Sequence, residues 1–231
     1  MMHERLQSTL HGKPLLLAVA ADSEVKAVLT GLKSDAQPQP WTLTQATDHI
    51  DLITTGVGKA NAAGAVARVL DPERHAAVLS VGIAGSYGTL LLRQVVAASA
   101  SVYADEGVRT PDQFLDLCAL GFPPASLPSM AFPADPGLLE AIRPEADAVG
   151  PIATVSTCSG TDDLALELSQ RTAALAESME GAAVAHVCNR LSVPFAELRV
   201  ISNTCGDRAQ QAWDIKGALE VLSAVIGRLC R

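Results

Sequence analysis

Apolar residues fall along this chain in short blocks separated by amphipathic stretches. Residues 15–20 are wholly apolar, as a strand covered on both faces requires. The polar segment D-S-E-V-K follows at once, and Asp22 or Ser23 can cap a helix running to about residue 32. Gly31 and the Pro-rich 38–40 end that helix. Residues 41–46 and 50–55 predict two strands with a turn at Asp48 and His49. T-G-V-G-K-A-N then enters a small-residue helix over 60–70, stopped by Asp71-Pro72. Strands are predicted over 76–81 and 94–102. Residues 105–135 hold many of the prolines and no clear period, which marks a binding loop or lid. A short helix over 136–142, a strand over 152–157 and a helix over 162–170 come next. A strand-like 173–179, a helix over 180–191, a strand over 195–202 and an amphipathic helix over 213–229 complete the chain. Strands alternating with helices predict an α/β fold: a three-layer α/β/α arrangement around a central mixed, largely parallel twisted sheet.

No internal repeat or linker divides the chain, so one domain is expected over 14–231 after a loose leader at 1–13. The net charge of −8 argues against nucleic-acid and anionic-membrane partners, because phosphate surfaces call for clustered Lys and Arg. The apolar run over 15–21 is too short to span a bilayer, and it continues into a helix start rather than a cleavage site. The five cysteines are odd in number and widely spaced, with no C-x-x-C. Free thiols in a reducing cytoplasm are therefore expected, not a disulfide framework. The histidines show no H-x-x-x-H spacing, so no metal is expected. The G-x-G at 56–58 lacks the third glycine of a dinucleotide loop, and neither a Walker lysine nor G-x-S-x-G is present. No cofactor is expected.

In open α/β sheets, ligands lie at the C-terminal ends of strands. Four clusters of polar or glycine residues fall at such ends. Residues 20–24 carry Glu24. In 81–85, Gly82, Ile83, Ala84 and Gly85 allow backbone N–H groups close to a ligand. Residues 178–180 place Glu180 where a strand meets a helix, suited to two neighbouring hydroxyls. Residues 202–203 are Ser202 and Asn203. Each segment alone has an ordinary explanation as a helix-start acid or a tight turn. Their occurrence together is what points to a site.

Taken in order, A-A-D-S-E-V, G-V-G-K-A-N-A-A, S-V-G-I-A-G, S-M-E-G-A-A-V-A-H-V-C and V-P-F-A-E-L-R-V-I-S-N resemble one family, that of the purine nucleoside phosphorylases and the methylthioadenosine/adenosylhomocysteine nucleosidases. The resemblance covers roughly residues 15–228. Three further segments, D-E-G-V-R-T-P-D-Q-F, S-G-T and S-N-x-x-x-x-R-x-x-x-x-W-x-I, resemble the branch that releases hypoxanthine from futalosine on a route to menaquinone. The resemblance implies that Glu24 activates water and that Met179 and Glu180 contact the ribose. It implies that Asn203 faces the purine N7 side and that Gly82, Ile83, Ala84 and Gly85 line the floor. Ser159, Gly160 and Thr161 lie where the family binds the base, and Ser202 adjoins Asn203. A small-molecule nucleoside and water are the implied partners. A homo-oligomer is also implied, in which a neighbouring copy lends Phe114 from the 105–130 loop as a lid.

Two departures from the pattern carry chemistry. Phosphorylases of the family have Arg before the V-G-x-x-G turn and Ser within it; here those positions are Ser80 and Ile83. An apolar residue with no nearby Arg makes a poor phosphate site, which favours water as nucleophile. Adenosine-type nucleosidases have Asp where this chain has Asn203. An amide N–H can donate to N7 or to a 6-oxo group, and mispairing a buried polar group costs about 1–3 kcal/mol, which favours a 6-oxopurine. The expectation is an N-glycosyl hydrolase. A methylthioadenosine/adenosylhomocysteine nucleosidase, a phosphorylase and a catalytically silent nucleoside-binding protein stand as alternatives.

Overall fold

The structure is a computed structural model that describes residues 4–125 and 128–230. Residues 1–3 of the expected leader, residues 126–127 of the expected lid and residue 231 at the end of the expected domain lie outside the described residues. The elements run α1 (Glu4–Leu10), β1 (Leu15–Val19), α2 (Asp22–Leu32), β2 (Thr44–Thr47), β3 (Ile50–Thr54), α3 (Lys59–Val69), β4 (Ala77–Ser86) and β5 (Val95–Tyr103). There follow β6 (Gly107–Arg109), β7 (Phe114–Asp116), β8 (Ala131–Pro133), α4 (Pro136–Ile142), β9 (Ala148–Thr154) and α5 (Asp162–Thr172). The last are β10 (Ala176–Ser178), α6 (Gly181–Arg190), β11 (Phe195–Thr204) and α7 (Ile215–Leu229).

The sheet is mixed, with helices on both sides. Its order is β10-β9-β5-β11-β4-β1-β3-β2. Strand β1 pairs in parallel with β3 and β4, while β5 runs antiparallel to β11 and parallel to β9. Alternate residues of β1 point into two different cores. Leu15, Leu17 and Val19 join α2, α4 and α7; Leu16 and Ala18 join α3 and α6. A strand buried on both faces has no polar face to show, which is why residues 15–20 read as a continuous apolar run.

The mixed sheet with helices on both sides is as expected, and one pairing adds to it at the end away from β2. Strand β10 pairs with β4 as well as with β9, so β4, β11, β5, β9 and β10 close into a five-stranded ring. Closure depends on β4 running on past Val81 through G-I-A-G to Ser86, a stretch whose glycines suggested a turn. Pairing on both sides, to β11 and β10, keeps it extended.

Two other expectations change. Residues 4–10, expected as part of a loose leader, form α1, whose Leu6 and Leu10 are buried in the core beside α4. The expected lid over 105–135 contains the hairpin β6–β7 and strand β8, which adds to the ring through β5. Each has three residues, too few to show a period.

Candidate active site

Glu24 sits in the first turn of α2, where the helix dipole favours an acid. Its carboxylate accepts the backbone N–H of Ala21 at 2.9 Å and that of Ile83, from β4, at 2.8 Å. Burial pushes its pKa above the usual carboxylate range. The Arg199 guanidinium and the two backbone N–H groups oppose that shift without cancelling it. Gly82 lies beneath: a Cβ there would meet the Glu24 carboxylate and stand 2.6 Å from Arg199 Nη1. The glycine is required by this close approach.

Glu180 stands at the N-terminal boundary of α6, two residues beyond β10, and its side chain is free of any capping bond to the helix. One carboxylate oxygen accepts the Gly58 N–H at 3.1 Å, and the other accepts from Arg199 Nη1 at 3.3 Å. The glycine loop T-G-V-G-K-A-N thus serves as a strand-to-helix turn whose N–H steadies an acid. Gly56 and Gly58 both have positive φ, 86° and 95°, which suits glycine there.

Arg199 is the residue that the sequence reading missed. It is 1% exposed and wholly engaged: Nε donates to Glu197 at 2.9 Å, Nη1 to Glu180, and Nη2 to Ser80 Oγ at 3.1 Å. Ser178 Oγ, at 3.1 Å, and Ser101 Oγ donate to Glu197 in turn. Burial alone would depress the Arg199 pKa, but Glu197, Glu180 and Glu24 around it hold it above its ordinary value. The expectation of no Arg near the Ser80–Ile83 turn is therefore corrected. An Arg does touch Ser80, but it lies under the floor with its N–H groups already directed at carboxyl and hydroxyl oxygens. Two charged residues two apart in an otherwise apolar strand, F-A-E-L-R-V-I, were the available signal, since buried charges are paired.

Ser202 and Asn203 both line the cavity although neighbours in a strand normally face opposite ways. A bulge in the β11–β4 register between Ile201 and Asn203 re-aims them. Ser202 Oγ donates to Asn203 Oδ1 at 2.9 Å, and Asn203 Nδ2 donates to the Thr204 carbonyl at 3.0 Å, fixing the amide. Trp213, expected as the start of the last helix, instead makes a β-bridge with Asn203. The helix begins after Asp214, which caps the Gly217 N–H.

These groups open onto one cavity of about 440 Å³. Glu24, Ile83, Ala84, Gly85, Ser159, Gly160, Met179, Glu180, Ser202 and Asn203 all line it, together with Glu177, Arg208 and Trp213. The structure thus brings together most of the residues expected at a site. Three stand apart from the lining. Gly82 is under the floor beside Glu24. Thr161 caps α5, its hydroxyl accepting from Leu164 N at 3.3 Å. Phe114 is on β7, its ring 4.1 Å from the Arg171 guanidinium. The one cysteine among the lining residues, Cys158, is a poor nucleophile, because desolvation pushes its pKa up to about 11; Cys205, beside Gly85, is pushed up further still. Among the described residues, no group of three or more His, Cys, Asp or Glu could hold a metal, and no helix is long and apolar enough to cross a membrane.

A ring-closed mixed sheet with buried acids converging on a strand-end cavity is a fold that known proteins share. Residues 38–231 match the phosphorylase superfamily, and the chain belongs to that superfamily. Within it, the chain is 37% identical over 223 residues to the futalosine hydrolase of Acidothermus cellulolyticus, covering 93% of this chain and 89% of that protein. It is 36% identical over 231 residues to the futalosine hydrolase of Streptomyces coelicolor, covering 93% and 94%. Among solved structures, the native futalosine hydrolase of Helicobacter pylori aligns with a TM-score of 0.78 at 19% identity, covering 95% of this chain and 97% of that one. A methylthioadenosine/adenosylhomocysteine nucleosidase of Colwellia psychrerythraea in complex with adenine aligns at 0.75 and 23% identity, covering 95% and 97%. These two likenesses concern the fold.

Proposed function

We propose that this protein is a nucleosidase that hydrolyses the N-glycosidic bond of futalosine, releasing hypoxanthine and dehypoxanthine futalosine. The observation that carries the reading is the convergence of Glu24, Glu180 and Asn203 on one cavity; the futalosine hydrolases among its relatives supply the substrate.

Cleavage of the ribose C1′–N9 bond passes through a transition state with oxocarbenium character. The electron pair of that bond leaves with the purine. Glu24 takes a proton from water, and the water oxygen bonds to C1′. The raised pKa of Glu24 makes it a stronger base than a free carboxylate. Asn203 offers its second amide N–H as a hydrogen bond to the departing purine, which takes a proton from solvent water and leaves as the free base, while Glu24 returns its proton to solvent. Glu180 accepts from the ribose hydroxyls. Three carboxyl groups, Glu24, Glu180 and Glu197, surround one guanidinium, so the local field favours a sugar that becomes positive. The same arrangement opposes phosphate, because Arg199 is already engaged by acids and Ser80. Water is the nucleophile in this account.

The remaining proposals are that the enzyme acts in the cytoplasm on the menaquinone route and forms a homo-oligomer. In that assembly Phe114 would reach a neighbour's cavity, which fits its absence from the lining of its own. The test is a panel of nucleosides, with and without phosphate, scored for free base. Hypoxanthine from futalosine at equal rates in both buffers is expected. Adenine from methylthioadenosine as the dominant product, or strict dependence on phosphate, would overturn the assignment.

A further inference from the structure

Glu177 was not singled out by any sequence pattern and takes no part in the mechanism above, yet it is 5% exposed and lines the cavity. It lies opposite Gly85 in the β10–β4 pairing, and Asn203 lies opposite the same glycine in the β11–β4 pairing. A carboxylate and an amide therefore flank one floor position that has no side chain. A Cβ there would sit 2.9 Å from Asn203 Nδ2 and 2.8 Å from Cys205 Sγ.

The hydrogen bonds of Glu177 fix the polarity of this end of the cavity. One carboxylate oxygen accepts the Ser159 N–H at 2.8 Å. The other accepts the Ser159 hydroxyl at 2.6 Å and the Tyr87 hydroxyl at 3.0 Å. A hydroxyl has one proton, and a carboxylate has none to give back. The Ser159 proton is thus directed at Glu177, and its oxygen can only accept from a ligand. Across Gly85 the opposite holds: Asn203 Nδ2 gives one N–H to the Thr204 carbonyl and keeps the other to donate, while the single Ser202 hydroxyl proton has both Asn203 Oδ1 at 2.9 Å and the Ala84 carbonyl at 3.2 Å within reach. The cavity end presents an acceptor beside a donor.

We infer that Glu177 is a specificity-determining residue: by holding Ser159 as an acceptor, it makes the cavity read a base whose ring N–H lies beside an acceptor. A 6-oxopurine has that pattern, with N1–H next to O6. A 6-aminopurine reverses it, with an accepting N1 next to a donating amine. The inference rests on the nucleosidase reading above and adds to Asn203 a second base-reading group, the Ser159 hydroxyl, with Glu177 as the residue that positions it.

The test compares futalosine with its 6-amino analogue, which carries the same 5′ group, in wild type, Glu177→Gln and Ser159→Ala. A Gln amide can donate to Ser159 and lets the hydroxyl turn its proton towards the ligand. Wild type is expected to favour futalosine in kcat/KM, and that ratio should shrink about tenfold or more in both variants. Equal losses on both nucleosides in an active Glu177→Gln, or an unchanged ratio, would overturn the inference and leave the hydrolase reading intact. Should Glu177→Gln fail to fold, Ser159→Ala carries the comparison alone. If wild type releases neither base, the hydrolase reading fails by itself. Calorimetric binding of hypoxanthine and adenine then decides the inference: a preference for hypoxanthine lost in Ser159→Ala supports it, and equal affinities in wild type refute it.

Discussion

The Glu24 carboxylate accepts the Ile83 backbone N–H at 2.8 Å, across 59 residues of sequence. That one bond ties the start of α2 to the end of β4. It gives Ile83 a function through its backbone, whatever its side chain, and it aims the acid at the cavity.

Glu24→Gln keeps the shape of the side chain but cannot take a proton, and its single amide oxygen can accept from only one of the Ala21 and Ile83 N–H groups. Turnover of futalosine should fall by about 10²–10⁴, with little change in KM. Steady-state hypoxanthine release measures both. A variant with full turnover removes Glu24 from the chemistry.

The acid limb of the pH profile follows from the same group. Glu24 must be deprotonated to accept from water, and burial raises its pKa. Activity should therefore decline on acidification at a pH above that of an ordinary carboxylate. The free-enzyme value is read from kcat/KM against pH.

Arg199 is predicted to matter twice. Replacing it with Met leaves Glu180 and Glu197 without their buried cation, which costs about 3–5 kcal/mol of stability. It also removes the charge that pulls the Glu24 pKa down, so the acid limb should move to higher pH. Denaturant unfolding and the pH profile of the surviving enzyme check these separately. An unmoved limb would show that Arg199 acts on stability alone.

At the base end, Asn203→Asp replaces the amide N–H with an acceptor. The cost is that of one mispaired buried contact, about 1–3 kcal/mol, or roughly 5- to 150-fold in kcat/KM on futalosine. Competition between futalosine and an adenine nucleoside measures it. Unchanged preference would remove Asn203 from base reading.

Gly82→Ala tests the packing beneath the site. The added methyl overlaps the Glu24 carboxylate and must displace it or Arg199. Activity should drop at least tenfold, with a stability loss of about 1–3 kcal/mol from overpacking. Paired kcat and thermal midpoints check this.

Much of this arrangement was legible in the chain. Strand β1 and helix α2 could be read because a doubly covered strand is all apolar and a polar helix start follows it directly, although the N-cap is Ala21 rather than Asp22 or Ser23, with Glu24 accepting its N–H. Helix α4 has the bounds expected for it, and the structure shows what fixes its start: a proline at its first position and Asp135 capping the Leu138 N–H. Glu24, Glu180 and Asn203 were readable because each lies at or just beyond the C-terminal end of a strand, in a segment that resembles the family. Ring closure was not legible, since β10 has three residues and its second partner, β4, lies some ninety positions away. Arg199 and Glu177 escaped for the same reason. Their partners come from Ser80, Glu180, Tyr87 and Ser159, contacts that only the folded sheet creates. Helix α1 was misjudged by position: Leu6 and Leu10 stand four apart on one helical face, a signal present in the sequence.

The central claim is that water, activated by Glu24, attacks the ribose carbon that loses the purine. Turnover of futalosine in ¹⁸O-labelled water, with phosphate absent, tests it directly by mass spectrometry of the sugar product. One ¹⁸O at C1′, with hypoxanthine released in equal amount and both lost in Glu24→Gln, is the predicted result. Release that requires phosphate and yields a sugar 1-phosphate, or no release at all, would contradict the account.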